Sequence, residues 1–162
     1  MRAALADTTV LSNFAHIERP DLLRALFSPL LVPPAVLEEL TEGERRALIP
    51  KCPWDWLDVV VPTAAEKNLA QELRRSVGPG EADGLAVAKS RNLLLLTDDL
   101  DARHLAKSLG LDLSGTLGCL RDLIKRAILD LSAADLFLAR MRDRGYRSPV
   151  RSLRDLPPIS SV

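Results

Sequence analysis

The chain has 162 residues, 47% hydrophobic and 27% charged, which fits one globular domain with a sizeable core and leaves little room for a second. Its aliphatic runs are too short to span a membrane and no basic-then-apolar leader is present. Cys52 and Cys119 are isolated and lack metal-ligand spacing, so a reducing cytoplasm is the expected setting. The zero formal net charge hides an uneven spread: residues 1–102 hold 11 Lys and Arg against 16 Asp and Glu, residues 103–162 hold 11 against 6. That asymmetry suits an anionic partner on the basic surface and cations offsetting the acidic one, although a solvated helical face is the plain alternative.

The first element is a strand, Arg2–Asp7, and Thr8 or Thr9 caps a helix through Val10, Leu11, Phe14 and Ile17. Pro20 opens a second helix, Asp21–Phe27, followed by a brief buried strand, Leu30–Val32. Pro33 and Pro34 start the helix Ala35–Thr41, and residues 43–56, with two more prolines and two tryptophans, read as irregular. Leu57–Val61 is a strand stopped by Pro62, and Ala64–Ser76 a helix. Gly78, Pro79 and Gly80 break the chain before an alanine-rich helix, Glu81–Arg91. Leu93–Thr97 is the clearest central strand. Asp99–Leu109 is a helix stopped at Gly110, Leu111–Leu113 a short strand, and 116–128 and 132–144 two last helices. Residues 1–147 thus form one domain, and 148–162 read as a loosely held tail. Strands alternating with helices imply a mostly parallel sheet of four to five strands covered on both faces.

Four acidic clusters sit at the edges of apolar segments: Asp7; Glu38 and Glu39; Glu81 and Asp83; Asp98 and Asp99. Two follow strand-like runs, and in an open α/β sheet the carboxyl ends of strands converge on one crevice. Carboxylates that meet repel unless a cation lies between them, and all-oxygen ligands favour Mg²⁺ or Mn²⁺. Each cluster also has a plain reading. Asp7 and one of Asp98 and Asp99 suit helix caps, and Glu81 and Asp83 suit a helix N-terminus. Helical geometry separates one pair. Val36, Leu37 and Leu40 share a buried face, Glu38 lies opposite it and Glu39 on its flank, so Glu39 is the better ligand. His16 and His104 lack ligand spacing and read as structural or surface residues. No nucleophile elbow, Walker lysine loop or dinucleotide glycine fingerprint is present.

The stretches Ala6–Leu11, Val32–Leu40, Gly80–Ala88 and Leu96–Asp99, in this order, resemble the PIN-domain family, and Gly110 with Gly115–Gly118 is similar to a bacterial and archaeal subgroup of it. The resemblance implies a three-layer α/β/α fold and a metal-dependent endoribonuclease using Mg²⁺ or Mn²⁺. By register it carries the family's acids onto Asp7, Glu39, Asp83 and Asp99. Asp7, Asp83 and Asp99 would be direct ligands, with Glu39, Glu81 and Asp98 as further candidates. Thr8 and Thr97 would support them by hydrogen bonds, and Arg140, Arg142, Arg144 and Arg147 would grip the RNA backbone. The resemblance also suggests the toxin of a toxin–antitoxin pair, with an antitoxin protein as partner. A homodimer surface of Val10, Phe14, Leu22 and Leu26 stands beside core packing as a reading of those positions. The alternative to an enzyme is a non-catalytic PIN-like module that binds nucleic acid.

Overall fold

The computed structural model describes residues 1–158; residues 159–162 of the segment read as a tail lie outside the described residues. Its elements are β1 (Arg2–Ala6), α1 (Thr8–His16), α2 (Asp21–Leu26), β2 (Phe27–Val32), α3 (Pro34–Arg45), β3 (Asp58–Val59) and α4 (Ala64–Leu73). There follow α5 (Pro79–Arg91), β4 (Leu94–Leu96), α6 (Leu100–Ser108), β5 (Leu113–Ser114), α7 (Thr116–Lys125), α8 (Leu131–Asp143) and a 3₁₀ turn, Leu153–Asp155. The five strands are all parallel in the order β3-β2-β1-β4-β5.

Side-chain alternation along the strands divides the core in two. Ala4, Ala6, Leu30, Val32, Leu94 and Leu96 share one hydrophobic cluster with Val10, Leu11 and Phe14 of α1, Val36 and Leu40 of α3, Leu120 and Leu123 of α7 and Leu138 of α8. Leu5, Leu31 and Leu95 belong to the other, with Ala70 and Leu73 of α4, Leu85 and Ala86 of α5 and Ala102 and Ala106 of α6. The result is an α/β/α arrangement of three layers. Val10, Phe14, Leu22 and Leu26 are all fully or almost fully buried, so core packing accounts for the residues that also suggested a dimer surface. No helix among the described residues is long and apolar enough to cross a membrane.

Several boundaries differ from expectation for local reasons. β2 begins three residues early because its ladder with β1 slips by one residue, from Arg2 opposite Phe27 to Ala4 opposite Leu30, which accommodates Pro29. α3 continues past Thr41 to Arg45, where Arg45 pairs with Glu42 and the Glu44 carboxylate accepts from Cys52 N and Trp54 Nε1 of the following loop. β3 is only two residues long and lies at a sheet edge, which leaves Val59 and Val61 exposed. Part of the C-terminal segment is tied to the domain: Asp135 of α8 accepts from Ser152 Oγ and Leu153 N, and Leu153 is buried. The strand order reverses between β1 and β4, so the chain leaving each of them borders one crevice, the place where such sheets position ligands.

Candidate active site

Asp7 follows β1, and Asp98 and Asp99 follow β4, across that reversal. Asp7 caps α1: its Oδ1 accepts from Thr9 N at 3.0 Å, Thr9 Oγ1 at 2.6 Å and Val10 N at 3.3 Å. Its Oδ2 accepts from the Thr97 hydroxyl. The two threonines in turn accept backbone N–H groups from the end of β4, Thr9 from Asp98 and Thr97 from Asp99. Two hydroxyl relays therefore lock Asp7 to the neighbouring strand end. Burial nevertheless pushes the Asp7 carboxyl up to about 7, against the lowering effect of the hydrogen bonds from Thr9, Thr97 and Val10; the Asp98 charge adds to the rise.

Of the other carboxylates that line the same cleft, three come from different elements and keep one oxygen free. Glu39 of α3 accepts from Thr8 Oγ1 at 2.5 Å through Oε2. Glu81, in the first turn of α5, accepts from Gly78 N at 2.7 Å through Oε2. Asp99 caps α6, its Oδ1 accepting from Ala102 N at 2.8 Å. Each holds itself in place with one oxygen, while the other accepts no hydrogen bond among the described residues. Burial raises the pKa of Glu81, helped by the charges of Asp99, Glu39 and Asp101, so these carboxylates share one electrostatic neighbourhood. Asp7, Glu81 and Thr97 also line a common void of about 10 Å³ behind the cleft. Gly80 admits the close approach of α5 to α3: a Cβ there would stand 3.0 Å from Glu39 Oε1.

Asp83, expected as the third acid, does not line the cleft; Glu81 does. Two positions apart on a helix, they point to different sides, and Asp83 turns to Arg74 at the end of α4, 4.0 Å away. Asp98 is present in the cleft with both oxygens engaged. Oδ1 accepts from Thr116 N at 2.9 Å, and Oδ2 from Thr116 Oγ1 at 2.5 Å and Asn13 Nδ2 at 3.1 Å. It ties β4 to α1 and α7 and has less to offer a cation than Asp99. Glu38 is exposed and lies in a separate groove beside Val59. Thr8 and Thr97 stand as expected, hydrogen-bonded to acids of the cleft. Of the four arginines, Arg144 and Arg147 line it; Arg140 and Arg142 do not.

The cleft measures about 690 Å³ and also includes Ser12, Asn13, Asp101 and Tyr146, which no motif marks, and His16, which reads as structural or surface in the sequence. Thr9, Ser12, Asn13 and His16 occupy positions i, i+3, i+4 and i+7 of α1, a polar stripe on one helix face that the sequence displays.

Free carboxylate oxygens on Glu39, Glu81 and Asp99, beside a buried Asp7 destabilised in its charged form, are a donor set suited to a hard divalent cation. Among the described residues no group of three or more His, Cys, Asp or Glu side chains stands close enough together to hold a metal ion as it is. What speaks for a cation is the chemistry of the lining alone, several carboxylates around one cleft.

A search of curated proteins finds no match to the chain. A family model described as a PIN domain matches residues 3–156, so the chain belongs to the PIN-domain family.

Proposed function

We propose that this PIN domain is a Mg²⁺- or Mn²⁺-dependent endoribonuclease whose ion is held by Asp7, Glu39, Glu81 and Asp99. The observation that carries the reading is that carboxylates from four separate elements line one cleft at the strand-order reversal, with Asp7 buried at the cost of a pKa near 7. A bound divalent cation would supply activation of water at neutral pH and neutralisation of charge on the leaving oxygen.

The residues of the chain have separate tasks around it. Asp7, fixed by the Thr9 and Thr97 relays, presents a carboxylate whose orientation is set before substrate arrives. Thr8 orients Glu39, and the α5 N-terminus orients Glu81. Asp98 braces the turn that carries Asp99 by engaging Thr116 and Asn13. The cleft lining also carries Arg144 and Arg147, whose charge suits the sugar–phosphate backbone of the substrate.

Cleavage of a structured RNA in Mn²⁺ by wild type, Asp7→Asn and Asp99→Asn tests the assignment. Activity in wild type alone supports it. Equal activity in all three sinks it, and salt-sensitive RNA binding without any cleavage would favour the non-catalytic module. Growth arrest on expression, abolished by Asp99→Asn, would extend the reading to a toxin held by an antitoxin.

A further inference from the structure

The cleft has a second, basic end. Asp7 and His16 both line it, at opposite ends of α1, and a rise of 1.5 Å per residue places them about 13 Å apart along the helix axis. α8 terminates near His16, whose pKa is lowered by burial and then by the charge of Arg144. Gly145 takes a left-handed conformation (φ 109°) that reverses the chain; its N–H donates to Arg142 O and that of Tyr146 to Met141 O. The reversal packs Tyr146 against the hydrophobic core and leaves Arg144 and Arg147, on either side, lining the cleft. Six carboxylates, of Asp7, Glu39, Glu81, Asp98, Asp99 and Asp101, line the same cleft, yet among the described residues neither guanidinium forms an ion pair or a side-chain hydrogen bond. Two arginines kept apart from available acids are open to an anion from outside.

We propose that Arg144 and Arg147, flanked by His16, form a phosphate-binding subsite for the substrate strand, separate from the phosphodiester presented to the carboxylates. The identity of that strand rests on the nuclease reading; the subsite itself rests on the arginines. Guanidinium groups bind phosphate bidentately, and a grip at one end of the cleft draws a polyanion past acids that would otherwise repel it. Arg140 and Arg142 are outside the subsite: Arg140 lies against the Phe137 ring at 6.0 Å, and neither lines the cleft.

The test is the affinity of a short fluorescein-labelled oligouridylate in EDTA, measured by anisotropy from about 50 to about 200 mM salt. The Arg144→Ala/Arg147→Ala double variant should bind roughly tenfold more weakly, and its log–log salt slope should be shallower by about 1.4, the loss of two single-strand phosphate contacts. The Lys double variant should retain the slope, and Arg140→Ala/Arg142→Ala should match wild type. An unchanged slope and affinity in Arg144→Ala/Arg147→Ala, or an equal loss in the Arg140 and Arg142 pair, overturns the subsite. Asp99→Asn judges the nuclease reading separately: it should lose cleavage in Mn²⁺ and keep binding in EDTA. Retained cleavage there with binding still dependent on Arg144 and Arg147 would reject the nuclease site and leave the subsite standing.

Discussion

Asp7→Asn should stabilise this protein in alkaline buffer and lose that advantage in acid. The Asp7 carboxyl is raised from an ordinary 3.8 to about 7 in the fold. A folded-state pKa above the unfolded one means that the native protein binds the proton more tightly. Stability is therefore greatest below 3.8, falls as pH rises, and levels off above about 7. At 1.36 kcal/mol per unit, linkage puts the cost of the ionised group at about 2 kcal/mol at pH 5 and about 4 kcal/mol at pH 8. Asparagine carries no such charge, but its amide nitrogen cannot accept from the Thr97 hydroxyl, a loss of about 1.5–3 kcal/mol that does not vary with pH. The constant term cancels in the comparison. Urea unfolding of both proteins should show the variant gaining about 2–3 kcal/mol on wild type between pH 5 and pH 8. Mn²⁺ at a hundredfold excess over its Kd should add about 2.7 kcal/mol to wild type at pH 8 and little to the variant. A stability gap that is the same at both pH values would refute the claim that burial strains Asp7.

Other consequences follow from single contacts. Gly80→Ala places a methyl group about 3.0 Å from Glu39 Oε1 and should displace that carboxylate, lowering Mn²⁺-dependent cleavage while the melting temperature stays within a few degrees. Asp98→Asn leaves an amide against the Thr116 N–H or the Asn13 amide; a loss of both stability and cleavage, read by urea unfolding and RNA hydrolysis, is expected. The Glu66 carboxylate, buried between α4 and α5, is drawn down to about 2, chiefly by its paired hydrogen bonds from Arg91. Arg91→Ala should cost about 2 kcal/mol at neutral pH, a figure discounted for the partly exposed guanidinium. Because the folded pKa is depressed, that contribution is present above 4.5 and disappears as pH falls through about 2, so the two proteins should converge in acid.

The architecture was legible where burial is uniform. Leu93–Thr97 reads as a central strand because β4 is covered on both faces, and the placement of Asp7 and Asp99 follows from the ends of two such strands. Which side of helix α5 faces the cleft is hidden in its sequence for a physical reason. Its buried residues include Gly80, Ala82, Gly84, Leu85, Ala86, Val87 and Ala88, spread around the axis, so no apolar stripe shows which flank faces the cleft. Only the family register speaks for one of its two acids, and it favours Asp83, whereas the helix starts at Pro79 and brings Glu81 to the cleft. The arginines divided for a similar reason: the reversal at Gly145 carries Arg144 and Arg147 to the cleft and leaves the α8 face of Arg140 and Arg142 outside it. Bends of this kind depend on what the chain meets in three dimensions. The polar stripe of α1 is different, because the spacing of Thr9, Ser12, Asn13 and His16 displays it in the sequence itself.

The most direct measurement is Mn²⁺-dependent hydrolysis of a structured RNA by wild type, Glu81→Gln and Asp83→Asn, with EDTA as the control. Cleavage should vanish in EDTA, fall by roughly 10- to 100-fold or more in Glu81→Gln, and persist at near wild-type rates in Asp83→Asn. Full activity in Glu81→Gln, or cleavage that survives EDTA, would contradict a cation-dependent site built from Asp7, Glu39, Glu81 and Asp99.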